Sequence, residues 1–301
     1  MRTTISLPII LTLALRATHA LKIVLTNDDG WATAQVRAEF DALQAAGFQV
    51  LLSAPAINKS GTGSSTATPT VLSGPCEFNT CASGSPATGF NASNPLLNYV
   101  NSFPVDSVRF GIQTLAPKLF GSAPDLIVSG SNIGTNLGSI SGSGTVGAAS
   151  EAALEGFPSI AFSGSTGSQV SYTTLQSDPN SSSTLAAHLY TSLIIKFVNA
   201  LVATPTPFLP KGVSLNVNFA ATTSCPSASS FKFILTRVAA SSSATDVATC
   251  GATRLPDETS TVKAGCFVSV SVFNATTKMD VSAATQAVVL NKLSPILSCR
   301  T

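Results

Sequence analysis

Charge is scarce in this sequence. Only 10% of its 301 residues are charged, against 44% hydrophobic. That excludes an intrinsically disordered chain, which is rich in charge and poor in apolar side chains. There is no block of Lys and Arg and no acidic tail, so the electrostatic footprint of a protein that binds a nucleic-acid polymer is missing. The formal charge of +2 arises from Arg2 and Arg16. Both sit in a segment expected to be removed, and without them basic and acidic residues are equal in number. Histidine is rarer still, with two in the chain: His19 in the leader, and His188 inside a helix-patterned run. There is no H-E-x-x-H, no C-x-x-C, no G-x-x-x-x-G-K-[ST] and no G-x-S-x-G, so zinc-protease, P-loop and α/β-hydrolase signatures are absent. Chemistry in this chain must run mostly without imidazole.

The leader has a basic start, Met1-Arg2, an apolar run over Ile5–Leu15, and small residues at Thr18 and Ala20. This is the pattern of a secretory signal peptide over residues 1–20, cleaved before Leu21. The run is short of the roughly 20 apolar residues of a membrane span, and no later run reads as long enough for one. Secretion fits the cysteines: Cys76, Cys81, Cys225, Cys250, Cys266 and Cys299 all follow the leader. An even count in a secreted chain suggests three disulfides, of 15 conceivable pairings. Cys76 and Cys81 are near enough to staple one loop and are the best single pair. No cysteine falls in the candidate ligand loops described below. Four N-x-S/T sequons occur, at Asn58, Asn91, Asn180 and Asn274.

After the leader, Leu21–Thr26 reads as a strand broken by Asn27-Asp-Asp-Gly30. Val36–Ala46 has helical spacing, with Val36, Phe40, Leu43 and Ala46 on one face and Gly47 ending it. Phe48–Ser53 is a second strand, and the three form a βαβ opening. Residues 54–98 are rich in Ser, Thr, Gly, Pro and Asn and read as short strands and loops. A helix is expected over Val105–Ala116, to be ended or kinked by Pro117. A strand is expected over Pro124–Ser129 and a loop over Gly130–Gly142. A small-residue helix over Thr145–Gly156, a strand over Pro158–Ser163 and a long helix over Ser183–Ala203 follow. From Gly212 alternation takes over, giving strands at Val213–Phe219, Phe231–Val238 and Phe267–Phe273 and a helix over 283–292. The predicted fold is α/β, a doubly wound, mostly parallel, Rossmann-like sheet over 21–210. A β-rich C-terminal extension over 211–301 completes a single domain of residues 21–301.

Open α/β sheets bind ligands at the carboxyl ends of their parallel strands. There the chain places Asn27, Asp28 and Asp29 after the first strand, Asn58–Gly61 after the second, and Gly130, Ser131 and Asn132 after the third. Two carboxylates, a hydroxyl and a carboxamide, with no His or Cys, form an all-oxygen set. Such a set selects a hard divalent cation, Mg²⁺ or Mn²⁺ with Ca²⁺ also accommodated, over Zn²⁺. Asn-Asp-Asp-Gly is also an ordinary turn and helix-cap sequence. Adjacent carboxylates repel, and Lys59 or a metal would supply the counter-charge. Ser141-Gly-Ser-Gly-Thr145 opens a helix, where free N–H groups favour an anion such as phosphate. The alternative there is a Gly/Ser loop with Ser143 or Thr145 as a cap, and the sequence leaves both open. Gly142–Gly147 also spells G-x-G-x-x-G. It does not directly follow a strand, however, and no acidic residue ends the next strand at Phe162-Ser163, so a dinucleotide site is a weak reading.

Several segments together resemble the survival-protein SurE family of metal-dependent phosphatases and nucleotidases. They are Ile23–Gly30, Ala54-Pro55 with Ser60-Gly61, Pro104–Val108, Pro124–Gly138, Ser143–Ala149, Leu215–Asn218 and Gly265–Val270. The resemblance implies four metal ligands, Asp28, Asp29, Ser60 and Asn132, around one divalent cation. Asp28 and Asp29 are the candidate catalytic residues, and Ser143, Gly144 and Thr145 the candidate substrate-binding ones. It further implies hydrolysis of small phosphate monoesters, often nucleoside 5′- or 3′-monophosphates. It also implies an oligomer that exchanges its C-terminal extension, which leaves a homodimer open here. The chain departs from the family pattern in an insertion over Cys76–Leu97, in Gly142 where an aromatic is usual, and in Ser271-Val272 where Thr-Pro is usual. Two rival readings are a secreted metal- or glycan-binding module without catalysis, and a serine hydrolase using His188.

Overall fold

The computed structural model describes residues 20–300; the leader, apart from Ala20, lies outside the described residues. Nine strands form one sheet: β1 Lys22–Thr26, β2 Gln49–Pro55, β3 Thr88–Asn91, β4 Asn94–Val100, β5 Leu126–Ile133, β6 Ser159–Gly164, β7 Val213–Phe219, β8 Lys232–Thr236 and β9 Phe267–Asn274. The helices are α1 Ala34–Ala45, α2 Pro104–Phe110, α3 Ala116–Phe120, α4 Gly144–Leu154, α5 Thr174–Ser177, α6 Ser182–Val202, α7 Glu258–Lys263 and α8 Ala283–Leu293. The strand order is β3-β4-β2-β1-β5-β6-β7-β9-β8. Strands β4, β2, β1, β5, β6 and β7 run parallel, while β3 and β9 are antiparallel to β4 and β7. The winding departs in both directions from β1 and β5, so the expected doubly wound sheet is present and its switch point lies between those two strands. β7, the first strand of the segment read as an extension, pairs in parallel with β6 and continues the same sheet.

The local reasons are those of periodicity and burial. β1, β2 and β6 are covered on both faces, so their apolar runs are nearly unbroken. On one face, Val36, Phe40 and Leu43 of α1 and Leu193, Ile194, Phe197 and Leu201 of α6 pack onto Ile23, Leu25, Ile160 and Phe162. Each such large apolar side chain contributes about 1.5–3 kcal/mol by leaving water. On the other face, Val108, Ala148 and Ala152 of α2 and α4 cover Val24, Leu51 and Ile127. The small residues of α4 let it approach closely: a Cβ on Gly147 would collide with the Gly63 carbonyl.

The structure corrects several local expectations. Ala46 is exposed at the C-cap of α1 rather than part of its buried face. Pro117 does not end its helix but follows an irregularity in it, the second of the two outcomes expected. A π-type turn over Gly111–Leu115 joins α2 to α3, which carries Pro117 in its first turn and runs on to Phe120. There the missing N–H costs nothing. β5 continues through Asn132, which the sequence placed in a loop. Against the expectation for later runs, the 21-residue α6 is long and apolar enough to cross a bilayer by length and composition. Half of its most apolar stretch is buried inside the protein, where it serves the core. The disulfides are Cys76–Cys81, as expected, with Cys225–Cys266 and Cys250–Cys299.

Candidate cation and phosphate site

Thr26 of β1 pairs with Ser129 of β5, so the residues following each strand lie side by side. Asn27 shapes the first of these turns. Its Nδ2 donates to the Gly30 carbonyl at 2.9 Å, and its Oδ1 accepts from Gly30 N at 3.2 Å. Gly30 has φ +113°, which a side-chain-bearing residue adopts only with strain. The turn leaves Asp28 and Asp29 buried, at 2% and 1% exposure.

Each carboxylate is held by donors from distant parts of the chain. The Thr145 hydroxyl donates to Asp28 Oδ1 at 2.6 Å, and the backbone N–H groups of Gly144 and Thr145 also face Asp28. A Cβ on Gly144 would lie 2.8 Å from Asp28 Cβ, so the close approach needs glycine. Asp29 Oδ2 accepts from Ile133 N at 2.8 Å. Its Oδ1 accepts from Gln169 Nε2 at 2.5 Å and from Ser60 Oγ at 3.5 Å. Asn132 donates its Nδ2 to the Gly134 carbonyl at 2.6 Å, which leaves its Oδ1 without a donor among the described residues. Asp28, Asp29, Ser60 and Asn132 thus converge on one edge of the sheet.

The electrostatics call for a cation. Burial raises the Asp28 carboxyl, and burial together with the Asp28 charge pushes Asp29 up to about 7. Lys59 does not supply the counter-charge. Its ammonium lies 5.5 Å from the Phe103 ring centroid, and only its backbone N–H turns to the site, donating to the Asp28 carbonyl at 2.7 Å. Among the described residues, ion pairs involve only Arg109 and Arg237, not this pair of carboxylates. Two buried acidic groups, a hydroxyl and a free carboxamide oxygen fit a hard divalent ion. A cavity of 560 Å³ elsewhere, lined by Leu235, Leu255, Leu290 and Arg300, has no acidic lining residue and offers nothing comparable.

At the start of α4, Ser143 Oγ accepts from Val146 N at 3.1 Å, so Ser143 is the helix cap. Thr145 is committed to Asp28. Sequence reasoning missed the supports around this site. Gln169 reaches Asp29 from a loop after β6. The loop after β5 is pinned by Asn216 Nδ2 and Asn218 Nδ2 on the Asn136 carbonyl and by Glu258 Oε1 accepting from Gly138 N at 2.8 Å. Glu39 Oε2 accepts from Ser131 N at 2.7 Å beside Asn132. Burial pushes Glu39 and Glu258 each up to about 8. Lys278, from the turn after β9, donates to Ser64 Oγ at 2.9 Å and to the Ser141 carbonyl at 3.3 Å. Glu77, in the Cys76–Cys81 loop, lies against Gly30 and is pushed up to about 8, by burial first and then by the Asp29 charge. His188 is exposed on α6 and hydrogen-bonds no serine among the described residues, so the serine-hydrolase reading has no geometric support.

A family description, "Survival protein SurE", matches residues 23–245. An acid phosphatase of Yarrowia lipolytica is 36% identical over 201 residues, 65% of this chain and 56% of that protein. A 5′-nucleotidase SurE of Methanosarcina barkeri is 39% identical over 147 residues, 48% of each chain. The chain thus spans about half the length of these curated relatives. The crystal structure of the SurE protein from Aquifex aeolicus superposes with a TM-score of 0.59 at 23% identity, covering 84% of this chain and 93% of that one. Its likeness extends to the fold. With the match running from the first residues of β1 past β8, the chain belongs to the survival protein SurE family.

Proposed function

We propose that this protein is a divalent-cation-dependent phosphomonoesterase acting on small phosphate esters, with nucleoside 5′- or 3′-monophosphates as the substrate class. The observation that carries the reading is the buried, adjacent pair Asp28–Asp29, without a basic partner among the described residues, at the switch point of the sheet beside Asn132 and Ser60. The relatives named acid phosphatase and 5′-nucleotidase support it. Asp28, Asp29, Ser60 and Asn132 would hold Mg²⁺ or Mn²⁺, with Ca²⁺ a weaker competitor. Such an ion supplies Lewis-acid polarisation of a phosphoryl oxygen and a more acidic bound water. The chain's own residues orient this chemistry. Thr145 fixes the Asp28 carboxylate, while Gln169 and Ile133 N fix that of Asp29. Ser143, Gly144 and Thr145, at the start of α4 beside Asp28, are the residues proposed to border the phosphate; their helix terminus already turns its Gly144 and Thr145 N–H groups to Asp28 and its Val146 N–H to Ser143 Oγ.

The three disulfides support secretion after removal of a signal peptide, with glycosylation at one or more sequons, and the assembly proposed is a homodimer. The test of function is a panel of nucleotides, sugar phosphates and polyphosphate, each assayed with Mn²⁺ and with EDTA. Turnover of phosphate monoesters that EDTA abolishes is the expected result. Cation binding without turnover of any ester would leave only a binding module.

A further inference from the structure

The last strand of the sheet, β8, has an edge that the rest of the chain covers only in part. β8 pairs with β9 alone, and its backbone groups alternate between β9 and the open edge. Lys232 N donates to the Cys266 carbonyl at 3.0 Å, on the β9 side. Phe233 and Arg237 face the edge. Ser298 N donates to the Phe233 carbonyl at 2.8 Å, Arg237 N donates to the Pro256 carbonyl at 2.9 Å, and Glu258 N donates to the Arg237 carbonyl at 2.9 Å. Leu297 is thus bridged to Phe233 and Asp257 to Arg237, each in parallel. Leu235 lies midway between these bridges, so its N–H and C=O face the edge too. Among the described residues, neither flanking segment hydrogen-bonds to them.

The 560 Å³ cavity opens at this gap, within the roughly 300–1,000 Å³ of small-molecule sites. Leu235, Leu255, Leu290 and Leu297 give it apolar walls, and the Cys250–Cys299 disulfide fixes one side. Its charged lining residues are Arg254 and Arg300, with no acidic one among them. Arg254 forms no ion pair among the described residues. Arg300 Nη1 donates only to neutral groups, Ser260 Oγ at 3.0 Å and Thr261 Oγ1 at 3.4 Å. Asp257, the acidic residue whose charge Arg300 feels, accepts from Ser260 N and Oγ and stands outside the lining. An apolar chamber with uncompensated positive charge and a spare backbone N–H is complementary to a molecule with an apolar body and one anionic end.

We propose that this cavity at the β8 edge binds a small amphipathic carboxylate of the fatty-acid type, its chain against the leucines and its carboxylate held by Arg254 and Arg300. Burial of the chain supplies most of the affinity, and the guanidinium groups select the anion. A nucleotide or polyphosphate would leave the apolar walls unused, and a neutral hydrophobe would leave the arginines unused. An added peptide strand does not fit. With Leu297 opposite Phe233 and Asp257 opposite Arg237, Ser298 and Pro256 close in from either end and leave a gap of about one residue at Leu235, shorter than any strand. Except for β8, the site lies beyond the residues 23–245 that match the family description. It is separate from the cation site and does not rest on the phosphatase reading.

The test is isothermal titration of the whole protein with decanoate, decanesulfonate and decanol, each below its micelle-forming concentration. Wild type is compared with Ser294→Trp, which places a large ring at the exposed rim, and with the double variant Arg254→Gln/Arg300→Gln. Melting temperature and sedimentation are recorded for each. Wild type should bind both anions at least about tenfold tighter than decanol, the scale of one hydrogen bond to a charged group. The double arginine variant should bind decanoate no better than decanol, and Ser294→Trp should bind none of the three, both with the melting temperature of wild type. Decanoate binding by wild type no tighter than decanol overturns the role of the arginines and with it the ligand class. Undiminished decanoate binding by Ser294→Trp overturns the location. No decanoate binding by wild type overturns the proposal, and loss of self-association by Ser294→Trp in that case assigns the cavity to a second copy of the chain.

Discussion

Replacing Thr145 by valine tests how the site is built. The Thr145 hydroxyl and Asp28 are both buried, at 0% and 2% exposure, and their hydrogen bond is 2.6 Å long over 117 residues of sequence. Valine keeps the shape and removes the donor. A hydrogen bond to a charged group contributes about 1.5–3 kcal/mol, and about 1.4 kcal/mol is a factor of ten. Asp28 keeps the Gly144 and Thr145 backbone donors, so the carboxylate loses its alignment rather than every partner. The expected outcome is a fall in kcat/KM of about ten- to a hundredfold on p-nitrophenyl phosphate at saturating Mn²⁺. Thr145→Ser restores the donor and should stay within about threefold of wild type, less than one hydrogen bond's worth. If valine also stays within about threefold, Thr145 does not orient Asp28 for catalysis, and the coupling of α4 to the β1 turn is unimportant to the reaction.

Other outcomes follow from the same geometry. Asp28→Ala should abolish phosphatase activity while the protein still folds, because relief of the repulsion with Asp29 offsets the lost ion; activity within about tenfold of wild type, about 1.4 kcal/mol, would refute its role. Glu39 has its folded-state pKa raised by burial to about 8 from an ordinary 4.5. Its contribution to stability is therefore full below about 4.5 and is lost as pH rises through about 8. Glu39→Gln, which mimics the protonated form, should gain melting temperature relative to wild type steadily across that window; a difference independent of pH counts against it. Asn58 is exposed, but its Oδ1 accepts from Ser60 N at 2.7 Å. A glycan at Asn58 would crowd the Ser60 loop, so glycopeptide mass spectrometry should find Asn58 largely bare and at least one of Asn91, Asn180 and Asn274 occupied. Full occupancy at Asn58 in active enzyme would remove Ser60 from the ligand set.

Much of the molecule is written in short-range pattern. The apolar run 21–26, the helical spacing of Val36, Phe40 and Leu43, and the alternation of Val213–Phe219 are signals that a few neighbouring residues carry. Each became the element expected, because burial on one or both faces selects that spacing wherever the segment lies. The rule that parallel strands present ligands at their carboxyl ends then sufficed to bring Asp28, Asp29, Ser60 and Asn132 to one place. Local pattern failed where a distant partner decides. Asn132 joined β5 because β6 extends alongside it. Thr145 turned to Asp28, and Gln169 to Asp29, across loops whose path no periodicity encodes. Cys225–Cys266 and Cys250–Cys299 close separations of 41 and 49 residues, which spacing alone does not distinguish from the other pairings. Glu77 is the sharpest case. In sequence it is one acidic residue in a stretch rich in Ser, Thr, Gly, Pro and Asn. Only the folded chain, clamped by Cys76–Cys81 and by the Ala56 carbonyl, sets its carboxylate against Gly30. The elements follow from side chains a few residues apart, whereas the charge and support of the site come from contacts over tens to a hundred residues, which exist only after the sheet has assembled.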